Sequence, residues 1–473
     1  MFTADSLFIA VPLFAAIICA FLNKKQALPA ILANIVLAGG LLFSILKFFD
    51  NLGQDWFYGE TVLSSVMLII IYLVSLATAF FAVYAATTKR RGSYFAMMLV
   101  IAAGMSGVVM ARDFFTLYVY LEVAAVCSFA LISFYNRPKS TEGAIRYFYL
   151  SAIASAIILF SISMLLVYTG STAYEDLVAK ILATPGYTAP LNKILGIMAL
   201  AFMIKAGLFP FHTWTPDAYE SATSPVSALL AGIVTKVVGT YALIVVCMLL
   251  SIINFGIENN PVGKTVMWFG LASIILGAVN AQEQKDFKRM LAYSSISQMG
   301  YITIAAALAT PLAMAGALFH MFNHATFKSL LFFAAGNVKR ATGTMEIGSI
   351  SGLQSKMPYT TGTATIAMLS TAGLPPFSGF WSKLFIIAAL WQAEFYGMAA
   401  AALFASVLTL AYFLKVQRGM FFGKPSDNIK NVKEMGAGFL IPCFVFAFII
   451  IAVGLYFPFI YNNFLNPFIK VLQ

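Results

Sequence analysis

Five ionisable side chains lie within long apolar stretches of this sequence. They are Glu122, Lys205, Lys236, Lys328 and Lys383. If such stretches cross a membrane, each buried charge costs about 2.5–3.5 kcal/mol and is expected to face a protein interior or a hydrated path, where it moves ions or protons. The alternative for each is a static ion pair, or a charged end that reaches the membrane surface.

Three side chains form a stripe on one predicted helix. His320, His324 and Lys328 have the spacing i, i+4 and i+8, which places them on one helix face. A neutral imidazole both accepts and donates a hydrogen bond, so the stripe suits a proton relay. A structural polar stripe between helices is the alternative. A metal site is not expected, because two histidines without a nearby acidic residue supply too few ligands.

Two predicted helices are interrupted beside a lysine. The run from Lys205 to Pro210 reads Lys-Ala-Gly-Leu-Phe-Pro, and the run Gly-Leu-Pro-Pro-Phe-Ser-Gly begins at Gly373 and precedes Lys383. Proline removes a helical hydrogen bond and glycine loosens the backbone, so both helices should break there. Interrupted helices at matching positions of two blocks indicate a transport site. A proline that only kinks a packing helix is the alternative.

The composition predicts a polytopic membrane protein. The chain is 61% hydrophobic and only 10% charged, whereas soluble domains carry roughly 25% charged residues. At about 20 residues per span, the apolar runs supply about fourteen helices. We therefore predict an all-α membrane fold with about 14 transmembrane helices, of which helices 7 and 12 are the broken ones.

The predicted spans group into two five-helix blocks. An N-terminal three-helix segment covers 1–93, helices 4–8 cover 94–251, helices 9–13 cover 264–421, and a C-terminal helix covers 437–473. Because each block has an odd number of spans, the second block should be inverted relative to the first.

The loop charges predict the orientation. Nineteen Lys and Arg residues lie in loops after odd-numbered helices and six on the opposite side, within a net charge of +11. The positive-inside rule then predicts that both termini face outward, and we expect the membrane to be a prokaryotic plasma membrane. The basic residues therefore indicate topology and no nucleic-acid partner. The charged start of helix 10, Lys285 to Arg289, is predicted to be a solvated cap and topology anchor.

Cofactor chemistry is not expected in this chain. The four cysteines stand singly in apolar runs, without the spacing of a disulfide, zinc site or iron–sulfur cluster. No phosphate-binding Gly-x-x-x-x-Gly-Lys-Ser/Thr loop occurs, so an ATP-driven pump is not predicted. The energy for uphill transport should come from an ion gradient or from partner subunits.

Six motifs within about residues 60–425 belong together. They are Leu-Tyr-Val-Tyr-Leu-Glu122, Lys205-Ala-Gly-Leu-Phe-Pro-Phe-His-Thr-Trp-Thr-Pro-Asp-Ala-Tyr219, Lys236-Val-Val-Gly-Thr-Tyr-Ala, Lys288-Arg-Met-Leu-Ala-Tyr-Ser-Ser295, His324-Ala-Thr-Phe-Lys-Ser-Leu-Leu331 and Gly373-Leu-Pro-Pro-Phe-Ser-Gly-Phe-Trp-Ser-Lys383. On these motifs the chain resembles the antiporter-like subunits shared by respiratory complex I, energy-converting membrane-bound hydrogenases and Mrp-type sodium/proton antiporters.

The resemblance implies roles for four residues. In that family a helix 5 glutamate and a helix 7 lysine form an ion pair at the input side, here Glu122 and Lys205. A helix 8 lysine, here Lys236, joins two half-channels, and a helix 12 lysine or glutamate, here Lys383, is the exit group. The implied fold has fourteen helices with two inverted five-helix repeats.

The resemblance also implies partners. They are other membrane subunits, including further antiporter-like ones, peripheral redox subunits that hold the redox cofactors, the proton with sodium as the alternative coupled ion, and lipid. The predicted function is proton translocation by a non-catalytic subunit of a redox-driven, complex I-like or hydrogenase-like translocase.

Departures from the family pattern bear on the subtype. Thr215 replaces the usual leucine, which we expect to be harmless. Lysine at position 383 argues against the complex I subunit type that has glutamate there, and we expect no long lateral helix. Three alternatives stay open: an Mrp-type sodium/proton antiporter subunit, a non-transporting membrane anchor, and a self-contained solute carrier.

Overall fold

The computed structural model describes residues 4–23, 25, 27–50, 62–183, 188–466 and 469. Regular structure within these residues is helical, apart from three isolated β-bridges. Of the basic residues counted for orientation, Lys24 and Lys470 lie outside the described residues.

Nineteen α-helices follow one another along the described residues. They are α1 Leu7–Phe21, α2 Leu28–Asp50, α3 Val62–Ala85, α4 Arg91–Met110, α5 Phe114–Ile132, α6 Pro138–Thr169, α7 Tyr174–Ala183, α8 Thr188–Ala206, α9 Trp214–Ser221, α10 Ser224–Leu229, α11 Ala242–Asn254, α12 Pro261–Glu283, α13 Phe287–Leu308, α14 Pro311–Thr342, α15 Pro358–Ala372, α16 Ser378–Gln392, α17 Tyr396–Val416, α18 Ala437–Leu455 and α19 Phe457–Ile460.

The fold class predicted from the sequence is confirmed. In the part of the chain that the structure describes, ten helices are long and apolar enough to cross a membrane. Their exposed faces carry large apolar side chains such as Ile35, Val167 and Phe448, as lipid-facing helices require. The total of fourteen spans, the inverted arrangement of the two blocks and the divisions at 93, 251 and 421 stay predictions.

Both predicted helix breaks are confirmed. The first broken helix consists of α8 and α9, and Gly207 at φ +70° ends its first half. The second consists of α15 and α16, and Gly373 at φ +83° ends its first half. Positive φ is strained for residues with a Cβ, so a glycine is needed where each helix stops.

Two segments of the chain repeat the same local structure. Asp113 caps the N-terminus of α5 and forms a bridge with Ala173, and Asp286 caps α13 and forms a bridge with Glu346. The chain between the two bridged residues contains α6 in the first segment and α14 in the second. Each of these helices has 32 residues, and a glycine with a left-handed backbone conformation follows each of them. The two capping aspartates, their two bridge partners, the two long helices and the two glycines are all separated by the same number of residues. Each position in the first segment therefore has an equivalent in the second.

The long helix α14 lies at the centre of the second block. It packs against α3, α10, α13, α15, α16 and α18. Nearly all of its middle is buried, including His320, His324 and Lys328. The polar stripe on this helix is therefore surrounded by other helices and does not face lipid.

Candidate functional site

The first element of the site is an ion pair between α5 and α8. The Nζ of Lys205 lies 2.8 Å from the Oε1 of Glu122. The lysine side chain is 1% exposed and that of the glutamate 30%. The last turn of α8 carries Lys205 just before the break at Gly207. The two charges that the sequence placed on separate helices are thus brought into direct contact.

Two serines of α6 complete this pair. The Nζ of Lys205 donates to the Oγ of Ser155 at 2.7 Å and to the Oγ of Ser151 at 3.0 Å. Ser155 in turn donates to the carboxylate of Glu122. Three of the four groups are buried, so their hydrogen bonds offset much of the cost of burying charge. Neither serine was predicted from the sequence, because small hydroxyl residues are common in membrane helices.

Lys236 lies where the regular helix is interrupted. Two π-helical segments, Leu230–Val234 and Lys236–Tyr241, join α10 to α11. A π-bulge widens a helix and is frequent at functional sites. The Nζ of Lys236 donates to the Oγ1 of Thr235 at 3.1 Å, and the residue is 1% exposed. No carboxylate among the described residues is paired with this ammonium group.

The stripe on α14 continues from Lys236. The charges of Lys236 and Lys328 both act on His324, and neither ring nitrogen of His324 has a hydrogen-bond partner among the described residues. Lys328 donates to the carbonyl oxygen of Leu291 at 3.0 Å. In the repeated segments His324 and Lys328 are equivalent to Ser151 and Ser155, the serines that hold Lys205. The same face of the long helix therefore lines the site in both blocks.

Lys383 ends the series on α16. Its Nζ lies 4.8 Å above the ring of Tyr301 and donates to the Oγ of Ser406 at 3.3 Å. The charge of Lys383 acts on His320, whose Nδ1 lies 2.9 Å from the Oγ of Ser382. Tyr301, Ser382 and Ser406 were not predicted from the sequence, because their hydroxyl groups indicate a functional site only when the neighbouring Lys383 and His320 are known.

We call Glu122, Lys205, Lys236, His320, His324, Lys328 and Lys383 the charged line. All of these side chains except that of Glu122 are buried in the described residues. Glu122 pairs directly with Lys205, Lys236 and Lys328 lie within electrostatic range of His324, and His320 bonds to Ser382, the residue before Lys383. Lys205 and Lys236 are not hydrogen-bonded to each other, since the described hydrogen bonds of each go to other residues.

The charged start of α13 is a solvated cap only in part: Lys285 is exposed, whereas Lys288 is buried, and for Lys288 the prediction was wrong. Lys288 is 6% exposed, and its Nζ donates to the carbonyl oxygens of Glu220 and Ala222 at the end of α9. Arg289 pairs with Asp217 at 2.8 Å and with Glu220 at 3.0 Å. The C-terminal carbonyls of α9 attract a cation, and the packing of α13 on α9 makes Lys288 that cation.

The serines that follow on α13 are mostly satisfied by protein. Ser294 bonds to the hydroxyl of Tyr412, Ser295 to the carbonyl of Leu291, and Ser297 to the carbonyl of Ile274. Of these four polar residues of α13, Gln298 is the one whose side-chain amide is buried without a hydrogen-bond partner among the described residues. Of the polar groups proposed to support water here, Gln298 is therefore the one with free hydrogen-bonding capacity.

Metal ligation has no candidate within residues 4–466 as the structure describes them. No group of three His, Cys, Asp or Glu side chains there lies close enough to hold an ion. The free cysteines Cys19, Cys127, Cys247 and Cys443 lie apart from one another, with no disulfide between them.

Known proteins are similar to this chain in both sequence and fold. A family model described as NADH:quinone oxidoreductase/Mrp antiporter, TM, matches residues 111–409. An NADH-quinone oxidoreductase subunit of Desulforudis audaxviator is 35% identical over 398 residues, which are 80% of this chain and 77% of that protein. A Na(+)/H(+) antiporter subunit of Alkalihalophilus pseudofirmus is 31% identical over 383 residues, 80% of this chain and 76% of that protein.

Among solved structures, a chain of the membrane-bound sulfane sulfur reductase, an archaeal respiratory membrane complex, superposes with a TM-score of 0.89. The two sequences are 26% identical, and the match covers 99% of this chain and 97% of that one. The likeness thus extends over the whole fold, including both broken helices.

Proposed function

The chain belongs to the family of NADH:quinone oxidoreductase and Mrp antiporter transmembrane subunits, and on that premise we propose that its charged line carries protons across the membrane. The chain is a multi-pass, antiporter-like subunit whose partners are other membrane subunits of a larger complex. We propose a redox-driven complex in a prokaryotic plasma membrane, with peripheral subunits that hold the redox cofactors and both termini of this chain facing outward.

One observation carries the proposal. The four lysines of the charged line are buried in an apolar interior, and of these four only Lys205 has a carboxylate as an ion-pair partner in the described residues. Burial disfavours the charged form of a lysine, while a carboxylate in contact favours it. A series of such groups therefore exchanges protons readily when the position of the single carboxylate changes.

The proposed mechanism starts at Glu122 and Lys205. When Glu122 moves away from Lys205, the buried ammonium loses its stabilising partner and releases a proton toward Lys236. The proton then passes along His324 and Lys328 to His320 and Lys383. Moving one charge across 100 mV involves about 2.3 kcal/mol, which a change in one buried ion pair can supply.

Unpartnered polar atoms support a hydrated connection between the lysines. Both nitrogens of His324, the Nε2 of His320 and the amide of Gln298 are buried without a protein partner among the described residues. Buried polar atoms of this kind are normally satisfied by water. We propose that water joins Lys236 to the stripe on α14.

The experiment compares buried and exposed lysines on the same chain. Lys205→Ala and Lys236→Ala are introduced, and proton pumping is measured in vesicles that contain the assembled complex. Lys193→Ala is the matched control, because Lys193 also lies on α8 but is exposed. We expect both buried variants to lose most of the pumping and the control to retain it. Wild-type pumping by both buried variants would refute the relay.

Sodium/proton exchange is the second candidate function. It is favoured by the similarity to the Na(+)/H(+) antiporter subunit of Alkalihalophilus pseudofirmus. Sodium-dependent proton flux that needs no redox substrate would support it. Proton pumping that follows redox turnover without sodium would exclude it.

A further inference from the structure

Tyr219 is a buried tyrosine on the half-helix that follows the first break. It belongs to α9 and is 1% exposed. Its ring packs edge-on against Trp214 of the same helix and Phe332 of α14. Packing alone does not require a hydroxyl at this position, because phenylalanine would fill the same space. The contacts of the hydroxyl therefore need an explanation of their own.

The Tyr219 hydroxyl reaches the backbone and side chains beside Lys236. It lies 2.9 Å from the Oγ1 of Thr235 and 3.3 Å from the carbonyl oxygen of Leu230. Thr235 Oγ1 also lies 3.2 Å from that carbonyl, and it accepts the hydrogen bond from Lys236 at 3.1 Å. Tyr219, Thr235 and Lys236 thus form one hydrogen-bonded chain.

The π-helical segments create this arrangement. Thr235 stands between the two segments, and its N–H donates to the carbonyl of Leu230, five residues earlier. The wide turn brings that carbonyl, the Thr235 hydroxyl and the Lys236 ammonium to one side of the helix. In a regular α-helix adjacent residues point about 100° apart, so the side chains of a lysine and its immediate neighbour would not face each other.

The hydroxyl chain can serve both charge states of Lys236. When the lysine is charged, it donates to Thr235, which donates to Tyr219 or Leu230. When the lysine is neutral, its nitrogen accepts from Thr235, and Tyr219 donates to Thr235. Each hydroxyl has one proton and two lone pairs, so the hydrogen bonds reverse direction without leaving either hydroxyl unpaired.

The half-helix α9 is also tied to the Lys205 end of the charged line. The indole nitrogen of Trp214 donates to the carbonyl of Ile204, next to Lys205, at 3.2 Å. Trp214 stacks on Tyr147 of α6, the helix that carries Ser151 and Ser155. These contacts connect α9, and with it Tyr219, to the surroundings of the Lys205 pair.

We propose that Tyr219 and Thr235 are positioning residues that couple the broken helix to the charge state of Lys236. The inference rests on the proposed function, since it assigns a role within the charged line. Tyr219 acts through Thr235, and Thr235 acts directly on the lysine. Together they would link the surroundings of Lys205 to Lys236, to which Lys205 is not hydrogen-bonded.

The other charged groups that face Lys236 lie on α14. They are His324 and Lys328, whose charges interact with that of Lys236. Because neither is changed in the variants below, a shift in the pH profile reports on the hydroxyl chain.

The test measures proton transfer against pH in vesicles with the assembled complex. Thr235→Val keeps the shape of the side chain but removes the acceptor used by charged Lys236, so the pH profile moves to lower pH. Tyr219→Phe removes the donor used in the neutral state, so the profile moves to higher pH. Each variant should slow proton transfer about ten-fold, as expected for loss of a hydrogen bond to a charged or switching group. Thr235→Ser should restore both rate and profile.

The matched controls are Thr240→Val and Tyr241→Phe. Both hydroxyls are buried on the π-helical segment that contains Lys236, but Tyr241 bonds to the carbonyl of Val109, and Thr240 bonds to Met299 and to the backbone carbonyl of Thr235, so neither hydroxyl belongs to the side-chain hydrogen bonds that end at Lys236. The amount of assembled complex is determined for every variant. We expect both controls to keep the wild-type profile.

Lys236→Ala separates this inference from the proposed function. If Lys236→Ala stops proton transfer while Thr235→Val and Tyr219→Phe behave like the controls, the positioning role is wrong and the charged line stands. If Lys236→Ala pumps at the wild-type rate, the proposed function is wrong and this inference falls with it. Opposite pH shifts with rescue by Thr235→Ser would establish the positioning role.

Discussion

Replacing Glu122 by glutamine isolates the effect of its charge. Glutamine keeps an oxygen that can accept the hydrogen bonds of Ser155 and Lys205 but carries no charge. The Lys205 Nζ lies 2.8 Å from Glu122 Oε1. At that distance two unit charges attract each other by about 6 kcal/mol at an effective dielectric of 20, and about 1.5 kcal/mol in bulk water.

The true value lies between these limits, because Lys205 is buried and Glu122 is partly exposed. Even the lower limit equals about a ten-fold change in an equilibrium constant, and the upper one exceeds the roughly 2.3 kcal/mol needed to move one charge across 100 mV. We therefore expect Glu122→Gln to reduce proton transfer at least ten-fold while the complex still assembles.

The assay is redox-driven acidification of vesicles that contain the complex, with quinone or other electron-acceptor turnover measured in parallel. Glu142→Gln is the control, since Glu142 pairs with Arg146 at the exposed start of α6 with a side chain that is 61% exposed. Unchanged pumping by Glu122→Gln, with electron transfer intact, would refute the argument that this carboxylate drives the lysine.

Two further predictions concern packing around the charged line. A Cβ at Gly239, on the π-helical segment that begins at Lys236, would lie 2.4 Å from the backbone nitrogen of Ala206. Gly239→Ala should therefore lower the free energy of unfolding by about 1–3 kcal/mol, which thermal unfolding in detergent measures. Gly397→Ala, where the added Cβ meets open space, should have no such effect. Lys288→Met leaves two carbonyls at the end of α9 without the lysine donor and should lower the free energy of unfolding by about 1–3 kcal/mol. Replacing the exposed Lys285 by methionine should not lower it. Equal melting temperatures for the two lysine variants would contradict the capping role of Lys288.

The motifs of the chain predicted the members of the site, and the family resemblance implied the Glu122–Lys205 pair, but the other partners were not predicted. Glu122, Lys205, Lys236 and Lys383 could be recognised because each charge interrupts an apolar run. Ser151 and Ser155 could not, because small hydroxyl residues are common in membrane helices and become significant only when a charged group packs on them. Their equivalence to His324 and Lys328 became visible only through the repeated bridges and helix lengths.

The error at Lys288 has the same origin. A basic residue at the start of a helix is usually solvated, and the linear sequence contains no sign that α9 ends against it. The π-helical segments around Lys236 were equally hidden, because a wide turn is selected by packing and by side-chain hydrogen bonds and not by local propensity. The hydroxyl chain from Tyr219 to Lys236 depends on that turn.

The sequence alone determined the helical membrane fold, the two helix breaks and the residues of the charged line. These follow from interactions that are local in the chain: apolar runs long enough for a bilayer, proline and glycine in the backbone, and charges that are costly in hydrocarbon. The tertiary structure decided which of these groups meet. Contact between Glu122 and Lys205, burial of Lys288, and the hydrogen bonds of Tyr219 depend on which helices pack together, and that choice is made by residues far apart in the chain.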